Sequence, residues 1–249
     1  MVSRLGQESM IYVNIKNFAD TYWNNSKFKK TVSELSQQKS QKNLSLVEDD
    51  YQLYDFDEIC RYYCNLSNSS SKEPASADAL LITKKYLEVI EFKSGFARRI
   101  TRENLSRSEV YKCPHLKDIC KDYWDKFFEV REKEKDELKN NLKLKAVESY
   151  IFLEKQIFCN KNCESLSKPI QLKLKIVIDV DPVTIEEEML SSTKDKNFET
   201  LRKALRDSLK RFLIQKDINN QGYYYDSIDV KSSLEFKSEL NRLKTNPCL

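Results

Sequence analysis

Two apolar, partly β-branched runs, ADALLIT ending at Thr83 and YLEVIEFKS beginning at Tyr86, are joined by Lys84-Lys85 alone. A connection that short allows only an antiparallel hairpin. The turn also sets the register, because partners in a symmetric hairpin count outward from its centre. It pairs Thr83 with Tyr86, Leu80 with Val89, and Asp78 with Glu91. The two carboxylates then share one face, about 5 Å apart at Cβ, and the two-residue strand period adds Lys93 to that face.

Paired carboxylates beside apolar neighbours repel each other, and burial adds a desolvation cost to each. A divalent cation compensates both. Oxygen ligands from one or two carboxylates, completed by water and substrate phosphate, suit Mg²⁺ or Mn²⁺. On this reading Asp78 and Glu91 are the expected metal ligands. Lys93 would orient or help deprotonate an attacking water, or stabilise developing charge.

Composition removes competing chemistries. Glycine occurs three times, at Gly6, Gly95 and Gly222, so neither a P-loop nor a dinucleotide fingerprint can be written in the chain. The single histidine, His115, excludes catalysis by several imidazoles and a multi-histidine metal site. An excess of 43 basic over 39 acidic residues is too small to argue nucleic-acid binding from totals, so only local charge can carry it. The seven cysteines read as reduced thiols. No run of about 18 apolar residues and no signal core is present, so the expectation is a soluble, cytoplasmic protein without a membrane partner.

The rest of the chain supplies elements around the hairpin. Residues 1–47 read as a helix followed by a solvated connector, SELSQQKSQKNLS, and Tyr51 to Leu66 as a core helix capped by Asp55 or Asp57. Leu116 to about Phe158 reads as one long bent helix or two, with a solvated charged stretch from Glu129 to Lys145. LKLKIVIDVD is expected as a strand buried on both sides. Phe198 to Leu213 is an amphipathic helix with a stripe of Leu201, Leu205, Leu209 and Phe212.

ADALLITKKYLEVIEFKSG resembles the core of the PD-(D/E)XK nuclease superfamily, in which an Asp on one strand and Glu-x-Lys on the next form a metal-binding catalytic site. The resemblance implies an α/β, restriction-endonuclease-like core: a central mixed β-sheet flanked by helices, with extra N- and C-terminal helices. It covers the middle half of the chain. Expected units are an N-terminal helical extension and linker over 1–47, a nuclease-like domain over 48–215, and a C-terminal extension over 216–249 packed on that domain. It implies Mg²⁺- or Mn²⁺-dependent cleavage of DNA, less so of RNA, in restriction or phage defence, with Asp78, Glu91 and Lys93 as the catalytic set. The further acid that such enzymes draw from the first helix corresponds to Asp57 or Glu58, with Glu73 competing; Glu58 is carried as the candidate. It also lends the helix KLKAVESYIFLEK a packing role behind the site. The rival is a non-catalytic regulator on the same scaffold that uses its helices to bind a partner protein; on either reading the expected partners include a second copy of the chain in a homodimer.

Four weaker signals complete the reading. Arg98, Arg99, Arg102 and Arg107 follow the second strand and are candidates for contacting nucleic-acid phosphates, against a plain solvated turn. Cys60, Cys64, Cys113, Cys120, Cys159, Cys163 and His115 offer zinc-ligand types, but without the tight Cys-x-x-Cys knuckle they read as core fillers. Asp179 and Asp181 end a strand, as an acid pair near the site or as turn caps. Glu235-Phe236-Lys237-Ser238 repeats Glu91-Phe92-Lys93-Ser94, yet a capped helical segment surrounds it, and it reads as a decoy.

Overall fold

The computed structural model describes residues 16–38, 41–66, 74–83, 86–95, 118–155, 171–179, 197–214 and 224–245. Among these, six strands lie side by side in one mixed sheet. In spatial order they are β1 (Lys29–Thr31), β4 (Gln52–Asp55), β5 (Ala79–Ile82), β6 (Tyr86–Lys93), β7 (Gln171–Ile178) and β8 (Ser227–Ser232). β2 (Gln37–Gln38) and β3 (Gln41–Ser45) pair separately. From β1 to β6 each neighbour is antiparallel, whereas β6–β7 and β7–β8 are parallel. Parallel neighbours need a crossover, and α4 (Asp118–Leu153) and α5 (Asn197–Leu213) lie within the two connections.

The hairpin register is the one its short connection demands. Leu80 pairs with Val89 and Ala79 with Ile90, and Thr83 exchanges hydrogen bonds with Tyr86.

Alternation along β6 sends its side chains into two different cores. Leu87 and Val89 join the larger one, with Phe56 and Ile59 of α3 (Phe56–Leu66), Leu142, Ala146 and Leu153 of α4, and Leu205, Leu209 and Leu213 of α5. Ile90 joins the other, where Phe236, Leu240 and Leu243 of α6 (Ser233–Thr245) cover the opposite face. Each fully buried Leu, Ile or Phe contributes roughly 1.5–3 kcal/mol. The result is an α/β architecture with helices on both faces of the sheet.

Several boundaries differ from the sequence reading. The helix expected from Tyr51 starts only at Phe56, because Leu53 and Asp55 alternate inward as β4. Asp55 then serves as the cap, its Oδ1 accepting from the Glu58 amide at 2.9 Å. The stretch read as a connector carries most of the short α2 (Val32–Leu35) and the β2–β3 ribbon, and the edge strand β1 precedes it. Phe18, Ala19, Trp23 and Phe28, from α1 (residues 16–22) and the turn after it, enter the larger core. The C-terminal segment likewise adds a sheet strand, β8, and not only a helix. On α5, Leu213 completes the apolar stripe while Phe212 is 47% exposed.

The repeated Glu-Phe-Lys-Ser motif is helical, as its surroundings predict. Glu235 accepts from the Ser232 amide, Ser232 accepts from the Glu235 amide, and Glu235 pairs with Arg202.

Candidate active site

One step beyond the Ala79–Ile90 pair, Asp78 sits where the chain enters β5, and three contacts fix it. Its carbonyl accepts from the Phe56 amide at 3.1 Å. Its Oδ2 accepts from the Phe92 amide across the hairpin at 2.7 Å. Its Oδ1 lies 3.5 Å from Lys145 Nζ. The same amine donates to both Glu91 oxygens, at 2.8 and 2.9 Å. Asp78 and Glu91 therefore converge on one point, as the register requires, and the cation standing there is Lys145 of α4.

The segment leading into Asp78 is held by that helix too. Ser149, fully buried, accepts from the Ala77 amide at 2.9 Å, and Glu148 accepts from the Ala75 amide. The helix assigned a packing role thus positions one carboxylate and supplies the nearest charge. Lys145 was missed because it lies in a run of charged residues that reads as a solvated face. The only local signal is its place beside the apolar Leu142 and Ala146.

Burial opposes charge at both acids. Desolvation raises the Asp78 carboxyl above its ordinary range, against the pull of Lys145. Burial and the neighbouring Asp78 charge push Glu91 up to about 8, with Lys145 opposing. For Lys145, burial lowers the affinity for a proton, but the two carboxylates outweigh it and the net shift is upward. The Glu91 side chain is 3% exposed and that of Asp78 26%, so the cluster opens at Asp78. One ammonium in contact with two acids, one of them buried and the other partly covered, leaves them undercompensated. Hard carboxylate oxygens are the donors Mg²⁺ and Mn²⁺ take, so this pair fits such a cation. Among the described residues no three His, Cys, Asp or Glu side chains form a metal-ligating group. Water and phosphate would have to complete the coordination.

The other expected residues fall as follows. Lys93 lies two residues beyond Glu91 on β6, and its charge favours the ionised Glu91. Glu58 ion-pairs with Lys27 and Arg61. Its candidate twin Asp57 accepts from Ser76 Oγ at 2.6 Å, and it is the Asp57 charge that acts on Asp78. Asp57 pairs with Arg61 as well, at 2.8 Å. Arg98, Arg99, Arg102 and Arg107 lie outside the described residues, as do Glu73, Cys113, His115, Cys159, Cys163 and Asp181. Cys60 is buried and Cys64 half-buried, and burial pushes the Cys60 thiol up. Asp179 caps the end of β6, its Oδ2 accepting from the Gly95 amide at 2.9 Å. Gly95 has φ +95°, a left-handed conformation that glycine takes without a Cβ penalty.

Two features escaped the sequence reading altogether. On the opposite face, Lys175 of β7 is 2% exposed and holds Glu88 at 2.8 Å and Glu239 of α6 at 2.6 Å. Between α4 and α5 lies an open groove of about 620 Å³, lined by Lys139, Lys143, Arg211, Asp207, Ser208 and Phe212. Lys143 Nζ sits 5.4 Å from the Phe212 ring centre.

No family model, no curated protein and no solved structure matches this chain. Among the described residues no helix is long and apolar enough to cross a membrane.

Proposed function

We propose that the chain is a divalent-cation-dependent nuclease with a PD-(D/E)XK-type, restriction-endonuclease-like core. The reading rests on the convergence of Asp78 and Glu91, from neighbouring strands of a hairpin, on one partly open point. The order helix α3, hairpin β5–β6, helix α4, parallel strand β7 supports it, being the order the resemblance implies.

Asp78 and Glu91 would hold Mg²⁺ or Mn²⁺, which when bound supplies Lewis acidity at a phosphodiester and an activated water. The residues around the pair orient it. The Phe92 amide fixes the Asp78 carboxylate, and Ser149 with Glu148 fixes the backbone before it. Lys93, on the Glu91 side of the strand, would stabilise negative charge developing on the phosphate. The groove between α4 and α5 supports a nucleic-acid partner, since Lys139, Lys143 and Arg211 suit phosphates and the exposed Phe212 offers a base a stacking surface.

A second reading draws on the short Lys145–Glu91 contacts: the cluster is an ion-pair lock and the protein a non-catalytic binding module. Incubating labelled DNA and RNA with the full chain, with Mn²⁺ and with EDTA, separates the two. Metal-dependent cleavage that disappears in Asp78→Asn supports the nuclease. Absence of cleavage together with no thermal stabilisation by Mn²⁺ supports the lock.

A further inference from the structure

Lys145 occupies the place where a cation would have to sit. Its amine is within 2.9 Å of both Glu91 oxygens and 3.5 Å of Asp78 Oδ1, so one nitrogen engages both carboxylates. A divalent ion needs those oxygens at about 2.0–2.1 Å, and an ammonium left in place would repel it at contact distance. The two cations exclude each other.

We infer that Lys145 is a resident counter-ion that Mg²⁺ or Mn²⁺ must displace from Asp78 and Glu91, and that the released ammonium stays beside the site to face the substrate phosphate. This deepens the nuclease reading and rests on it. The backbone of α4 is anchored on either side of Lys145 by Leu142 and Ala146, each 1% exposed, and by buried Ser149. Movement therefore belongs to the lysine side chain, whose four-carbon stem can swing its charge while the helix stays docked.

Charge favours the exchange when substrate arrives. With both carboxyls ionised, two acids and one ammonium carry one net negative charge, which repels a phosphodiester. Adding a dication while keeping the ammonium nearby reverses the sign to one net positive charge, the complement of a single phosphodiester. The exposed shoulder at Asp78 gives the incoming ion its approach, since Glu91 is almost fully covered. Lys145 would act as a positioning residue, lowering metal affinity in the free protein and raising the selectivity of the loaded site for an anion.

Calorimetric titration of Mn²⁺ into the metal-stripped full chain tests this against Lys145→Met and Lys145→Gln, with folding checked by circular dichroism. Both variants should bind Mn²⁺ more tightly than wild type by about tenfold, within the roughly 5–150-fold span of coupled sites. Binding as weak as wild type, or weaker, in a folded variant overturns the inference while leaving the metal site standing. No binding by wild type or by either folded variant overturns both the inference and the nuclease reading.

A second measurement uses only the wild-type protein and so does not depend on the variants folding. Acylation of lysines by an amine-reactive ester, read by mass spectrometry, should rise several-fold at Lys145 when Mn²⁺ is added, with Lys139 as the internal reference. Metal binding with unchanged Lys145 labelling overturns the inference.

Discussion

Lys145 Nζ stands 2.8 and 2.9 Å from the two oxygens of Glu91, so a helix residue closes the carboxylate end of the hairpin. Glu91 is thereby engaged before any ligand arrives, and Asp78 is the more accessible acid. Asp78→Asn and Glu91→Gln should each lower Mn²⁺-dependent cleavage by at least about 100-fold, the upper range for losing even an outer partner of a metal ligand. Both variants should keep the fold. Cleavage at the wild-type rate in either one removes that carboxylate from the site.

Stability without metal should fall as pH rises. Burial and Asp78 push the Glu91 carboxyl up to about 8 from 4.5, so between those values the folded chain holds a proton that the unfolded chain has released. The sign follows: stability from this group is full below the unfolded value and is lost as pH climbs through the folded one. The raised Asp78 acts in the same direction. In EDTA, Tm should drop between about pH 5 and pH 8, by roughly 2–4 °C for each kcal/mol lost. Glu91→Gln should flatten the profile, and an equal slope in that variant would assign the effect elsewhere.

Lys93 and Lys145 should separate by kind of defect. Lys93→Met should reduce kcat and leave Mn²⁺ affinity near wild type, because among the described residues its amine makes no ion pair with either acid. Parallel loss of turnover and Mn²⁺ affinity in Lys93→Met contradicts a role confined to the reaction.

Oligonucleotide binding should depend on the groove between α4 and α5. Replacing Lys139, Lys143 and Arg211 together by Gln should weaken binding of a labelled single-stranded DNA in EDTA and reduce the salt slope by about one for each phosphate no longer neutralised. Phe212→Ala should cost binding of the oligonucleotide but not of inorganic polyphosphate, which has no base to stack. Fluorescence anisotropy reads both, and wild-type affinity in all variants clears the groove of this role.

The Glu88–Lys175–Glu239 cluster should be structural. Lys175→Met leaves a 3% exposed Glu88 without its partner, a change that costs about 3–5 kcal/mol when a buried pair is broken from one side. Adding Glu88→Gln should recover part of that loss in urea denaturation. No recovery would mean that the damage comes from the missing packing of the lysine stem.

Much of the site is written locally. Lys84-Lys85 and the apolar alternation on either side determine the register, because strand side chains repeat every two residues and a short turn leaves the pairing no slack. That alone brings Asp78 opposite Glu91. Local context also separates the two Glu-Phe-Lys-Ser copies, since Ser232 and Glu235 cap a helix.

Tertiary packing decided the rest. Lys145 is 54 residues from Glu91, and Lys175 is 64 from Glu239. A helical or strand period shows which side of an element is apolar, but a lysine at the edge of that side looks the same whether it meets water or an acid on another element. The edge strand β1 was hidden for a related reason: three residues, Lys29–Thr31, have no alternation long enough to read, and only pairing with β4 makes them a strand. Local spacing fixed where the two acids face each other. Which cation stands between them was decided by how α4 docks on the sheet, an interaction whose energy exists only once the layers have closed.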